Sequence, residues 1–227
     1  MMELNTVFES FCTSIGERQA FLSEDNIRFY WFASMLKQDC DLNHYSLEEP
    51  YVYLKGKELD LMYEDSKEIV CLEIKFHRHK TKDAYAHTMS AGEIFDDLQR
   101  LPLWKKDKDF KKPVRFLFLY VTDKEMYDYL SFNSRMRQNS NYRNTLRTFY
   151  MAEKGTIITS TFKSKNIGGD TPKVFFECAC ESFNKEERNS LTISNVLLLN
   201  RKTVKCNSCS LQTADCHISL YEIIKTI

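Results

Sequence analysis

Val114-Arg115-Phe116-Leu117-Phe118-Leu119-Tyr120-Val121-Thr122 is nearly continuously apolar. A strand with one face in water alternates apolar and polar residues. A run like this one suits a strand covered on both faces, as in the middle of an α/β sheet. The chain has 227 residues, 43% of them hydrophobic, enough for one sizeable core and an appended subdomain. With 16 Phe and 12 Tyr against 6 Gly and 4 Pro, it reads as a folded protein.

The second constraint is Leu59 to Phe76, which reads as two strands and a turn. Leu59 to Tyr63 is the first strand and carries Asp60; the polar stretch Glu64 to Glu68 is the turn. Ile69 to Phe76 is β-branched and apolar except for Glu73 and Lys75. Side chains alternate along a strand, so Cys71, Glu73 and Lys75 share one face and Leu72, Ile74 and Phe76 the other. A carboxylate and an amine on an otherwise apolar strand need partners, because each is costly to bury alone. One reading is a cross-strand ion pair. The other is a metal site: Asp60 meets Glu73 across the hairpin and the two hold a divalent cation. Carboxylates, a carbonyl and waters are ligands that Mg²⁺ accepts. Lys75 would then orient or deprotonate a water, or stabilise charge on a phosphate.

Asp60, then twelve residues, then Glu73-Ile74-Lys75 resembles the PD-(D/E)xK motif of nucleases with the restriction-endonuclease-like fold. The surroundings resemble that family too, over roughly residues 20 to 130. Gly56-Lys57-Glu58-Leu59-Asp60 is similar to the approach to its first catalytic Asp, with Leu59 where the motif's name has Pro. Ala91-Gly92-Glu93-Ile94-Phe95-Asp96-Asp97-Leu98-Gln99-Arg100-Leu101 is similar to the helix after the core hairpin, and the Val114 to Thr122 strand follows in order. The resemblance implies a metal-dependent nuclease, with DNA the expected substrate, using Mg²⁺ or Mn²⁺. Asp60, Glu73 and the Ile74 carbonyl would hold the metal, Lys75 would serve the attacking water, and Glu24 and Gln99 would complete the site. A homodimer is expected for double-strand cutting. The same fold also carries catalytically silent nucleic-acid-binding or interaction modules, because fold alone does not give function.

The rest of the chain supplies the frame. Val7, Phe8, Phe11 and Ile15 recur at helical spacing and predict a docking helix. Ser23 is the expected N-cap of a helix from Glu24 to Lys37, with Ile27, Tyr30, Trp31, Ser34 and Met35 inward. Glu24 in its first turn also suits the helix dipole. Gln38 to Pro50 reads as a loop and Tyr51 to Leu54 as a first strand, giving an antiparallel meander with the hairpin. Ala84 to Trp104 reads as a helix with Met89, Phe95, Leu98 and Leu101 near one face, Ala91-Gly92 against the sheet, and Asp97 and Arg100 as a surface pair. Asp123 is an expected helix cap. His77 to Lys82, Lys105 to Lys112, and Arg135, Arg137, Arg143 and Arg147 are candidate phosphate contacts.

The expected division is 1–154, a restriction-endonuclease-like α/β core with N-terminal helices, and 155–227, a β-rich extension or subdomain. Its expected strands are Thr156 to Phe162, Lys173 to Ser182, Leu191 to Leu199 and His217 to Ile224. Cys206 and Cys209 have the C-x2-C spacing of half a structural zinc site; the other half would be Cys178 and Cys180, which share a strand face, or Cys216 and His217, which point opposite ways on a strand. The competing reading is buried cysteines that act as small apolar residues.

With 32 basic and 32 acidic residues, the formal net charge is zero. Residues 1–65 hold 5 Lys/Arg and 13 Asp/Glu, so the excess of positive charge lies in the remainder. That split suits an acidic metal site flanked by a basic surface. No run approaches the roughly 18 apolar residues of a membrane span. The first residues lack the basic start of a signal peptide, so a cytoplasmic location is expected.

Overall fold

Seven strands form one mixed sheet, in the order β1-β2-β3-β4-β7-β6-β5, with helices on both faces. The computed structural model describes residues 1–17, 22–77, 84–105, 111–131, 141–163, 170–183, 190–207 and 213–224. In chain order the elements are α1 (Leu4–Gly16), α2 (Glu24–Leu36), β1 (Tyr45–Pro50), β2 (Glu58–Glu64), β3 (Ile69–His77) and α3 (Ala84–Arg100). There follow β4 (Val114–Asp123), α4 (Lys124–Ser131), α5 (Asn141–Met151), β5 (Ile157–Lys163), α6 (Asp170–Ala179), β6 (Ser190–Asn207) and β7 (Thr213–Ile223).

Strands β1, β2 and β3 form an antiparallel meander. Helix α3 then carries the chain to β4, which runs parallel to β3 from Ile69↔Val114 to His77↔Thr122. Parallel neighbours need such a crossover. The continuous apolar character of β4 is explained by its place: Phe116, Phe118 and Tyr120 enter one core, and Leu117, Leu119 and Val121 the other. The first core is closed by α3, α4, α5 and α6, the second by α1 and α2. The alternation of β3 is equally regular. Cys71 lies in the first core, while Leu72, Ile74 and Phe76 face the second.

Both N-terminal helices follow their apolar stripes. Val7, Phe8, Phe11 and Ile15 are buried, and Phe11 meets Trp31 of α2 edge-to-face at 5.3 Å. Ser23 caps α2 by accepting the Asn26 amide at 3.2 Å, satisfying one of the free donors of the first turn. Asp123 does the same for α4 through the Met126 amide at 2.9 Å.

Several expectations are corrected. The first strand is Tyr45–Pro50, inside the segment read as a loop, and Tyr51 to Leu54 lies in the turn that follows. Edge strands tolerate exposed charge, so Glu48 and Glu49 masked it. The turn closes through Tyr51 N to Lys57 O and Lys57 N to Leu54 O, both 3.0 Å. Lys173 to Ser182 is not a strand. It falls within and just after α6, whose Phe175, Phe176 and Ala179 are buried at helical spacing, with Pro172 in the first turn where a missing amide costs little. Met89 is exposed. Gly92 packs against α6, not the sheet: an added Cβ would lie 2.6 Å from both Cys178 Cβ and the Phe175 carbonyl oxygen.

The C-terminal strands extend the same sheet. Strand β7 lies antiparallel to β4, and β6 and β5 follow outward. No helix is long and apolar enough to cross a membrane among the described residues.

Candidate functional site

The ladder between β2 and β3 runs from Glu64↔Ile69 to Leu61↔Leu72 and stops there. Continued by one step, that register sets Asp60 opposite Glu73. Where the strands part, the Asp60 side chain replaces the missing backbone partner: Oδ2 accepts the Ile74 amide at 2.6 Å. Asp60 Oδ1 pairs with Arg28 Nη2 of α2 at 2.6 Å, and the same nitrogen reaches Glu24 Oε1 at 3.1 Å. Glu24, Arg28 and Asp60 therefore form one chain from the first turn of α2 to the opening in the sheet. A cavity of about 340 Å³ opens beside it, lined by Arg28, Phe29, Phe32, Leu47, Asp60 and Ile74 among others.

Glu73 points to the other face, toward α3. Its Oε1 accepts from Arg100 Nη2 at 2.6 Å, and that nitrogen also donates to Asp97 Oδ1 at 2.5 Å. Arg100 is 4% exposed and its guanidinium lies 5.1 Å from the Tyr51 ring centre. Asp97 and Arg100 are thus a buried pair, not the surface pair expected. Lys75 Nζ lies 3.7 Å from Asp97 Oδ2 and 3.7 Å from Glu93 Oε2. His77, at the end of β3, reaches Glu93 Oε2 through Nε2 and Tyr120 OH through Nδ1, both at 3.3 Å.

Burial pushes the Asp60 carboxyl up to about 6, with Glu24 and Asp97 adding to it and Arg28 and the Ile74 amide opposing. Glu73 is raised well above the usual carboxylate range by burial and by Asp60 and Asp97, against the pull of Arg100. Burial alone would lower Lys75, but Asp97, Glu93, Glu24 and Glu73 outweigh it and hold the ammonium above its ordinary value. Glu93 is lowered by its hydrogen bond with His77 and by Lys75. These shifts show mutual influence among side chains drawn from α2, β2, β3 and α3.

Glu24 and Asp60 are joined through Arg28 on the α2 side, and Glu73 and Lys75 are joined through Arg100 and Asp97 on the α3 side, the two groups meeting where the β2–β3 ladder ends. Gln99 belongs to neither: its amide donates to Phe95 O at 2.9 Å and Ala179 O at 2.8 Å, tying α3 to α6. Arg28, Asp97 and Arg100 complete the two groups and were missed as site residues. The only local signals were the Glu24–Arg28 and Asp97–Arg100 spacings, which match ordinary helix-surface pairs. The basic residues 78–82, Lys105 to Lys112 in its 106–110 part, and Arg135 and Arg137 lie outside the described residues, as does Cys209.

The cysteines do not assemble as the zinc reading expected. Cys178 and Cys180 lie at and beyond the end of α6, with Cys180 in the first core. Cys206 is in the second core, across the sheet, together with Cys216. Among the described residues, no group of three or more His, Cys, Asp and Glu is disposed to hold a metal ion. No family model, curated protein or solved structure matches the chain.

Proposed function

We propose that the chain is a metal-dependent nuclease, with DNA as substrate, built on a restriction-endonuclease-like core running from α2 to β4. The observation that carries this reading is the Glu73 carboxylate: 6% exposed, next to Asp60 and Lys75, and with Oε2 lacking any hydrogen-bond partner. A buried carboxylate oxygen without a donor is costly, and a bound cation would relieve that cost. The order helix, three antiparallel strands, helix, parallel strand supports the same reading.

Glu73, Asp60 and the Ile74 carbonyl would hold Mg²⁺ or Mn²⁺, whose donor preferences they suit. The ion would supply positive charge to the scissile phosphate and acidify a water. Asp60 orients the opening by gripping the Ile74 amide and Arg28. Lys75, held above its ordinary pKa, stays an ammonium. Its role is therefore to orient the attacking water by donating to it and to stabilise charge on the phosphate, not to remove a proton. Glu93 and Asp97 hold Lys75 in place.

A second reading draws support from the ion pairs Arg28–Asp60 and Arg100–Glu73, which already compensate both carboxylates. It makes the chain a silent nucleic-acid-binding or protein-interaction module on the same fold. A nuclease assay separates the two. Purified protein is incubated with plasmid, single-stranded DNA and RNA in Mg²⁺, Mn²⁺ or EDTA, beside a Glu73→Ala, Lys75→Ala double variant. Metal-dependent cleavage lost in the variant is expected. Cleavage that persists in the variant, or no cleavage of any substrate, would sink the nuclease reading. Lys75→Ala alone should abolish cleavage and spare binding.

A further inference from the structure

Glu73 and Asp97 share an arrangement that their ion pairs leave incomplete. Both are nearly fully buried, at 6% and 5% exposed. One oxygen of each accepts from the same atom, Arg100 Nη2, at 2.6 and 2.5 Å. Gripping a single nitrogen brings the two carboxylates within about 5 Å of each other. The other oxygen of each, Glu73 Oε2 and Asp97 Oδ2, is buried and has no hydrogen-bond partner. Lys75 approaches Asp97 Oδ2 only to 3.7 Å. Asp60, by contrast, already has one partner on each oxygen, Arg28 and the Ile74 amide, and would reach the ion through a remaining lone pair.

Charge points the same way. The ion-paired groups comprise six carboxylates, Glu24, Asp25, Asp60, Glu73, Glu93 and Asp97, against three fixed cations, Arg28, Lys75 and Arg100. The formal excess of negative charge favours a bound cation. Mg²⁺ and Mn²⁺ take one or two protein carboxylates and fill the remaining positions with water and phosphate oxygens. Two free oxygens on neighbouring carboxylates are enough.

We propose that Asp97 is a ligand of the divalent cation together with Glu73, and that Arg100 holds this seat in the metal-free protein. This deepens the metal-dependent reading of the same site. Metal and Arg100 then compete for one pair of carboxylates. Asp97 lies on α3, 37 residues beyond Asp60 in sequence, so the seat depends on the packing of α3 against β3 and not on the hairpin motif alone.

The test is a calorimetric Mn²⁺ titration of the full chain without nucleic acid, with circular dichroism as the check on folding. Asp97→Asn should weaken Mn²⁺ binding at least tenfold, while Asp128→Asn, in α4 and paired with Lys124, should stay within threefold of the parent. Arg100→Gln should bind Mn²⁺ more tightly than the parent. A second measurement needs no variant: Mg²⁺ should shift the carboxyl carbon resonances of Asp97 and Glu73 in the parent protein. A folded Asp97→Asn variant that binds Mn²⁺ like the parent, or an Asp97 resonance unmoved at Mg²⁺ saturation, would overturn the assignment. Metal-dependent cleavage that survives such a result would leave the nuclease reading standing. Asp97-dependent binding without cleavage would keep the seat and remove the nuclease.

Discussion

The carboxylate of Asp60 accepts the amide of Ile74 at 2.6 Å at the point where β2 and β3 separate. A side chain thus stands in for a strand, and the opening it creates is where the acidic and basic residues of α2, β2, β3 and α3 converge. In the proposed nuclease this relationship positions the site before any substrate arrives.

Removing that carboxylate has a structural cost separate from catalysis. Asp60→Ala leaves the Ile74 amide without its acceptor, a loss of about 1–3 kcal/mol. Relief of the Asp60 desolvation penalty offsets part of it. Urea unfolding at pH 7 should show a net fall in stability of about 1–2 kcal/mol. A variant as stable as the parent would show that the Ile74 amide finds another partner.

Helices α3 and α6 meet at Gly92, where the space for a methyl group is filled by Cys178 and the Phe175 carbonyl. Backbone oxygen cannot rotate away as a side-chain end can. Gly92→Ala should therefore force the helices apart and cost about 1–3 kcal/mol, despite the better helix propensity of Ala. Thermal unfolding reads this directly, and an unchanged or raised Tm would contradict the close approach.

Gln99 offers a clean contrast with the site residues. Its two donations to main-chain carbonyls make it a tie between helices. Gln99→Leu should lower stability by about 1 kcal/mol. Cleavage rate and metal affinity should stay within threefold of the parent. A loss of a hundredfold in cleavage with an intact fold would restore it to the site.

At the entry to β1, His44 Nδ1 lies 2.6 Å from Asp39 Oδ2. The hydrogen bond and charge of Asp39 raise His44 above 6.5. The protonated form is thus favoured in the folded state. The stability this pair contributes is present below about pH 6.5 and is lost as pH rises through the higher folded pKa. NMR titration should place the His44 midpoint higher in the parent than in Asp39→Asn. Equal midpoints in the two proteins would show that the pair does not form in solution.

Much of the frame was legible because its causes are local. The Ser23 and Asp123 caps, the apolar stripe of α1 and the two faces of β3 follow from spacing alone. The first strand was displaced because Tyr45–Pro50 is an edge, where burial does not impose a pattern. Helix α6 was misread because two adjacent Phe and a Val suit either a strand or a buried helical face. Asp60, Glu73 and Lys75 could be named from the hairpin, since parity puts Glu73 and Lys75 on one face. Their partners could not, because Arg28 and Arg100 look like surface charges on their own helices.

By itself the sequence determined which residues turn inward on α1, α2 and β3, where α2 and α4 begin, and that β4 is covered on both sides. These properties depend on side-chain periodicity and on capping within a few residues. Only the tertiary structure decided that β7 lies beside β4, that Gln99 ties two helices together, and that Cys180 and Cys206 lie on opposite faces of the sheet. It also decided that Asp97 and Arg100 close over Glu73. Such contacts are set by how distant elements pack, and buried charge finds its partner through that packing, not through sequence spacing.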